Sequence, residues 1–503
     1  MSSGSDIQNE LTKVVNQAAK KLDLKKYSLN LDLNVLKGDG FLGEFYKASI
    51  TDDETKKKYD LAIKKAPTEK IRREENCIDA VYKNEIFFYS KICPVFKKFE
   101  EDHQVLKPFN SIPEYIISDG QLGKEIIVLK DITKEGFQLR AKDLLLDDDH
   151  TRLIFKTYGH FHAISFCLKQ QKPEEFSRLT KPLFNIWKEF CEKSSFVNIL
   201  KSHAQTAYEV LDPSKHSDIM EKLKKYVEKP KEVFYEILDY DGKYFGILHG
   251  DCWSNNMMFK YQNTLNQSKL EDMSLLDFQL VIAGTPVYDL SYFFYTGGSK
   301  ELFDKLEDYL NIYYESFSIS SKNLGNDPNE LFPREELTRD WKRYSKFGMM
   351  LSLLVTKLKL LSKEDVIDLI DADDKKSKTD NGAQFFNLKY NKTLYKKRIE
   401  DISDSFSRKR YFVNYLMANK SPWCKEAIDF INVIGEPLIA ESGHSKSKKF
   451  LFERISFAIQ RGNAASIRGT FLDSALLSEI DIFAFDEVND ILTFDEVSAT
   501  ATR

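Results

Sequence analysis

Leu248-His249-Gly250-Asp251-Cys252-Trp253-Ser254-Asn255-Asn256 is the stretch on which the reading of this chain turns. It follows an apolar run, YFGILHG, that reads as a strand, and it sets a carboxylate five residues ahead of an amide. That pairing on one loop suits phosphoryl transfer: Asp251 can orient an attacking hydroxyl and accept its proton, and Asn256 can ligate a metal. Asn255 lies one residue off the register. Downstream, Asp277 in Ser274-Leu275-Leu276-Asp277-Phe278 ends a second apolar strand, where it can bridge another face of the same ion. Mg²⁺ takes oxygen ligands and keeps waters, so one carboxylate, one amide and phosphate oxygens suffice. A loop Asp or Asn is ordinarily a turn former, but the joint spacing outweighs that reading. His249 reads as a structural histidine that holds the loop by hydrogen bonds rather than as a base.

Three features upstream extend the pattern. Gly38-Asp39-Gly40-Phe41-Leu42-Gly43 is a GxGxxG, whose backbone can approach phosphates because no Cβ intervenes. A dinucleotide loop of this kind leads into a helix. Here the strand-like GEFYKASI follows, which fits a hairpin flap over a nucleotide. Lys64 comes 21 residues after Gly43, in the strand-like LAIK. Alternation along a strand lets only one of Lys64 and Lys65 point into a cleft, and the register selects Lys64. Glu85 interrupts an apolar helical stripe of Ile78, Val81, Phe88 and Ile92. A carboxylate in such a face requires a cation, and Lys64 is the candidate.

Working outward, 503 residues allow a sizeable core and several domains. Lys+Arg 74 against Asp+Glu 78 leaves −4, which argues against a basic nucleic-acid surface as the main function. The 6 cysteines form no CxxC pair and no disulfide framework. The N-terminus shows no apolar signal segment, and the longest apolar run, Met349 to Val355, is far below the roughly 20 residues of a membrane span. A cytoplasmic protein without membrane contact is expected, monomeric by default. Residues 1–27 read as an exposed amphipathic helical extension. Residues 28–131 read as a small β-rich lobe, and 132–406 as a larger, mostly helical lobe. Residues 407–503 read as an accessory extension, with a basic SRKRY and two FDEV copies at Phe485–Val488 and Phe494–Val497. The cleft between two such lobes is the natural ligand site. Aromatics on the later helices (Tyr313, Phe317, Trp341, Tyr344, Phe347) could line an acceptor pocket, although such spacing more often builds core.

Taken in order, Gly38–Gly43, Lys64, Glu85, His249-Gly250-Asp251 through Asn256, and Asp277-Phe278 resemble the bilobal, α+β protein-kinase-like fold. HGD in place of HRD points to its aminoglycoside and choline kinase branch. HGDCWSNNMMF, LLDFQL, GTPVYDLSYFFY, IIVLKDITKEGF and GHFHAISF resemble the ecdysteroid-kinase-like (CHK kinase-like) family of insects, over roughly residues 25–405. The resemblance implies ATP- and Mg²⁺-dependent phosphorylation of a small-molecule hydroxyl, with a steroid or another lipophilic alcohol as partner. By position, Gly38, Gly40, Gly43 and Lys64 would meet the phosphates, with Glu85 paired to Lys64. The backbone at Leu129, Asp131 and Ile132 would meet adenine. Asp251 would be the base, and Asn256 and Asp277 the metal ligands. His249 and Asp289, the latter in PVYDL, would support the loop. The family usually has Glu-Asp where this chain has Lys130-Asp131. Gln279 and Asp289 are ten positions apart, too close for the activation segment of a protein kinase. The alternative is a nucleotide- or steroid-binding pseudokinase without turnover, disfavoured because every catalytic position is filled.

Overall fold

The computed structural model describes residues 4–34, 42–141, 144–263, 268–361 and 390–406. The chain divides into two compact units, Met1–Ser405 and Phe406–Arg503. Gly38, Gly40, SRKRY and both FDEV copies lie outside the described residues.

The first unit is α+β and two-lobed. Its elements begin with α1 (Gly4–Lys21), β1 (Tyr27–Asp32), β2 (Glu44–Asp52) and β3 (Lys58–Lys65). A short helix follows, α2 (Lys70–Glu75), and beyond a left-handed Cys77 an unbroken run of α3 (Ile78–Phe87), a π turn (Phe88–Ile92) and α4 (Cys93–Asp102). Then come β4 (Tyr115–Asp119) and β5 (Ile126–Lys130). The five strands form one antiparallel sheet in the order β1-β2-β3-β5-β4. Period-two alternation decides its faces. Leu61 and Ile63 of β3 turn one way, into a core shared with Tyr46, Ala48, Ile50, Ile126 and Val128.

That core also contains Leu11, Val14, Val15, Ala18 and Ala19. The N-terminal helix, expected to be exposed, therefore buries one face against the sheet. The five positions fall on one helical stripe, and its two alanines let the backbone come close. Lys65 faces the same way, buried, with Nζ 3.7 Å from Glu10 of α1. Lys64 takes the opposite, cleft-facing side.

The larger lobe starts at a 3₁₀ turn (Ile132–Glu135) and β6 (Phe137–Leu139), then α5 (Asp148–Gln171). The Asp147 side chain caps α5, accepting from the His150 amide at 3.0 Å. Next come α6 (Pro173–Thr180), α7 (Ile186–Lys193), α8 (Phe196–Val210), α9 (Pro213–Glu228) and α10 (Pro230–Leu238). Strands β7 (Gly246–Leu248), β8 (Met257–Asn263), β9 (Ser268–Leu275) and β10 (Ile282–Gly284) return, with β7 paired to β10 and β6-β8-β9 forming a small sheet. Helices α11 (Val287–Gly297), α12 (Lys300–Phe303), α13 (Leu306–Asn323), α14 (Pro328–Leu331), α15 (Arg334–Tyr344) and α16 (Lys346–Lys359) follow, with a last helix at Lys392–Ser405. Tyr313, Phe317, Trp341, Tyr344 and Phe347 are all buried in this lobe's interior. Among the described residues no helix is long and apolar enough to cross a membrane.

Candidate active site between the lobes

Lys64 is the hub. Its ammonium lies 2.6 Å from Glu85 Oε2, 2.5 Å from Asp277 Oδ1 and 3.2 Å from Gln279 Oε1, so three acceptors meet its three N–H donors. Burial alone would strip the charge from this lysine. The Asp277 and Glu85 carboxylates overcome it and hold the ammonium protonated.

Glu85 reaches Lys64 from α3, with Ile78 and Val81 of that helix and Phe88 and Ile92 of the π turn fully buried. Burial pushes its carboxyl up, with Lys64 opposing. The π turn adds a residue to the helix after Phe87 and brings two consecutive aromatics, Phe88 and Tyr89, inward. Both grip Phe278: Phe88 stacks on it with ring centroids 3.7 Å apart, and Tyr89 meets it edge-on at 5.9 Å. This grip fixes the residue after Asp277, whose own backbone is left-handed at φ 64°. Aspartate tolerates that conformation better than most residues, and the result is a carboxylate aimed at Lys64.

The loop after β7 is held from behind. Asp289, fully buried on α11, accepts from the His249 amide at 2.8 Å and from the Gly250 amide at 2.9 Å. His162 of α5 adds a bond at 3.1 Å and reaches the Tyr313 hydroxyl with its other nitrogen at 3.2 Å. Burial works against the Asp289 carboxylate, but the His162 hydrogen bond and charge outweigh it and hold the group below its ordinary value. The His249 ring donates from Nε2 to the Leu276 carbonyl at 2.8 Å and accepts the Asp251 amide on Nδ1 at 3.1 Å, so one imidazole ties together the loops that carry Asp251 and Asp277. Burial lowers its pKa, which keeps it neutral. Gly250 has φ +83°, and a Cβ there would lie 2.0 Å from the Leu280 carbonyl oxygen. Only glycine fits this turn. His160 points elsewhere, to Glu100 at 2.9 Å.

Asp251 is buried and accepts three hydrogen bonds: Asn256 Nδ2 at 2.9 Å and Gln279 Nε2 at 3.2 Å on Oδ2, and the Tyr292 hydroxyl at 3.2 Å on Oδ1. Burial, then the nearby Asp277 charge, pushes its carboxyl up to about 7. Asn256 Nδ2 also donates to the Asp251 carbonyl at 2.9 Å, which commits the nitrogen end of the amide and leaves Oδ1 for a cation. Glu85, Lys64, Asp277, Asp251 and Asn256 thus belong to one continuous polar network.

Two members of that network were not expected. Gln279 bridges Lys64 to Asp251 with the two ends of one amide, and Tyr292 links Asp251 to an aromatic cluster with Trp187 and Phe347. A signal existed for Gln279, a polar residue immediately after Asp277-Phe278 and between apolar neighbours. Tyr292 carries none, because it sits in an aromatic run.

The strand end expected to meet adenine is tied into the sheet. The Lys130 amide donates to the Glu114 carbonyl and the Asp131 amide to the Asp60 carbonyl, both at 2.9 Å. Leu129 lies inside the ladder opposite Ala62. The Asp131 carboxylate caps Thr133 at 3.0 Å and pairs with Lys47 at 3.0 Å. Pairing therefore engages the amides of Lys130 and Asp131.

The family model of ecdysteroid kinase-like proteins matches residues 37–326, more than half of the chain. The chain belongs to the ecdysteroid kinase-like family. Membership places it among small-molecule kinases in general. Among solved structures it is similar to the GDP complex of an aminoglycoside 2'-phosphotransferase-IIIa mutant, at 14% identity and a TM-score of 0.34, over 75% of this chain and 99% of that one. No curated protein matches the chain.

Proposed function

We propose that this ecdysteroid kinase-like protein transfers the γ-phosphoryl group of ATP, with Mg²⁺, to a hydroxyl of a steroid-like or other lipophilic alcohol. The observation that carries the reading is the unbroken chain of contacts from Glu85 through Lys64 and Gln279 to Asp251. It would join a phosphate-binding cation to a base across the cleft.

Lys64 would hold the α- and β-phosphates, with Glu85 as its fixed counter-charge. The donor set suits Mg²⁺: the Asp277 carboxylate and Asn256 Oδ1 would be its protein ligands. Among the described residues no group of three or more His, Cys, Asp or Glu could hold a metal ion, so phosphate oxygens and water would complete the shell. The ion would neutralise charge on the phosphates. Adenine would meet the backbone of the Leu129–Ile132 stretch, and Gly43 would lie over the phosphates. Asp251 would orient the acceptor hydroxyl and take its proton, steadied by Gln279 and Tyr292. Positioning and fixed charge carry the rate in such a transfer.

The test is turnover of Asp251→Asn with MgATP across a panel of ecdysteroids and other hydroxylated lipophiles, with MgADP binding measured beside it. Nucleotide binding should persist while turnover falls by about 10²–10⁴, the worth of a general base. An Asp251→Asn protein that turns over like wild type overturns the assignment. Nucleotide binding with no acceptor phosphorylated by wild type would favour a binding protein without turnover.

A further inference from the structure

Tyr82 stands one helical turn before Glu85 on α3 and is fully buried. Among the described residues its hydroxyl has no hydrogen-bond partner. Buried hydroxyls are nearly always satisfied, and one left without a partner calls for an explanation. Its position supplies one. A Cβ built on Gly43 would fall 2.5 Å from the Tyr82 hydroxyl oxygen and 3.3 Å from Lys64 Cγ, so the phenol fills the space between the end of the glycine cluster and the lysine side chain. The Lys64 ammonium lies 5.5 Å from the Tyr82 ring centre and 6.0 Å from that of Phe45. Burial, with Glu85 adding to it, keeps the phenol protonated, so it can donate.

We propose that the Tyr82 hydroxyl is a further hydrogen-bond donor to the phosphate oxygens of the nucleotide, beside Lys64 and under Gly43. The proposal rests on the nucleotide-binding reading above. A phosphate chain meets this site's chemistry. Its several oxygens can engage the ammonium and a neutral donor together, and a neutral donor adds no charge next to a lysine already balanced by Glu85 and Asp277. Gly43 fits the same account, since any side chain there would displace the hydroxyl.

Tyr82→Phe removes the oxygen alone. Titration calorimetry with MgADP and, separately, with adenosine reads the effect, and thermal unfolding of the ligand-free protein is the control. MgADP should bind about ten- to a hundredfold more weakly, the loss of one hydrogen bond to a charged oxygen. Adenosine should bind as before. The ligand-free melting temperature should hold or rise, because a buried unsatisfied hydroxyl has gone. Unchanged MgADP affinity in Tyr82→Phe, with wild type binding normally, overturns the role of Tyr82 and leaves the kinase reading intact. A variant that loses MgADP affinity and thermal stability together marks the phenol as packing and overturns it as well. Wild type that binds no MgADP refutes the nucleotide reading itself, and this proposal with it.

Discussion

Replacing Lys64 with methionine preserves most of its volume and deletes its charge. The Lys64 side chain is 7% exposed and Glu85 only 2%, so the change strands a carboxylate where water cannot reach it. Asp277, at 19%, can turn towards solvent, and the penalty falls on Glu85. Removing one partner of a buried ion pair costs about 3–5 kcal/mol. Burial already pushes the Glu85 carboxyl from 4.5 up to about 7, with Lys64 the principal opposing influence. Without Lys64 the upward pressures from burial, Asp277 and Asp251 act unopposed. A carboxyl raised in the native state holds its proton more tightly there than in the unfolded chain. Its contribution is therefore intact at low pH and is lost as pH climbs from about 4.5 through the native value, at up to about 1.4 kcal/mol per pH unit. Wild-type Glu85 itself holds its proton up to about pH 7, so wild type and Lys64→Met should lose this contribution in parallel until then. The gap should widen only above it, by up to about 1.4 kcal/mol between pH 7 and pH 8, read by urea unfolding at pH 5 and pH 8. A wild-type-minus-variant difference equal at the two pH values would refute the reasoning, because it would show that Glu85 carries no charge penalty.

Further consequences follow from single contacts. Asp289→Asn leaves one oxygen to accept from two buried amides, so either His249 or Gly250 loses its partner. Scanning calorimetry should register a loss of about 1–3 kcal/mol, and turnover should fall with it. Asp147→Ala should cost about 1 kcal/mol at neutral pH through loss of the α5 cap. Burial opposes the Asp147 charge, but hydrogen bonds from His150 and the nearby Arg140 hold the carboxyl down to about 2. That advantage is complete above the ordinary carboxylate range, and denaturation curves of the two proteins should converge as pH falls towards 2. Chelation with EDTA should stop turnover yet leave the melting temperature of the nucleotide-free protein unchanged, since Asp277 is then neutralised by Lys64.

The parts of this molecule legible in sequence are those where one residue contradicts its surroundings. Glu85 breaks an apolar stripe, and Lys64 sits among strand aliphatics; each needs the other, and they lie 2.6 Å apart. Alternation along the strands likewise separates Lys64 from Lys65. What stayed hidden depends on tertiary partners. The α1 stripe is amphipathic whether it meets solvent or a sheet, and its alanines give no hint of close packing. The π turn at Phe88–Ile92 has no pattern of its own; it exists because Phe278 takes two rings from one helix. Tyr292 reads as one more core aromatic until Asp251 is seen beside its hydroxyl. The strand end near Leu129–Ile132 was legible as a strand end, but which of its amides remain available depends on the neighbours Asp60 and Glu114.

The packing of α1 and α16 bears on how this protein can be cut. The region matched by the family model runs from residue 37 to 326, yet the folding unit is wider on both sides. A piece starting at residue 37 would discard α1 and β1 and bare the Tyr46, Ala48, Ile50 and Ile63 face to water. A piece ending at 326 would discard α16, and with it the Phe347 ring that backs Tyr292 and Trp187 behind the aspartate. Expression boundaries taken from family similarity alone would yield an aggregating fragment, and inactivity of that fragment would say nothing about the enzyme's chemistry.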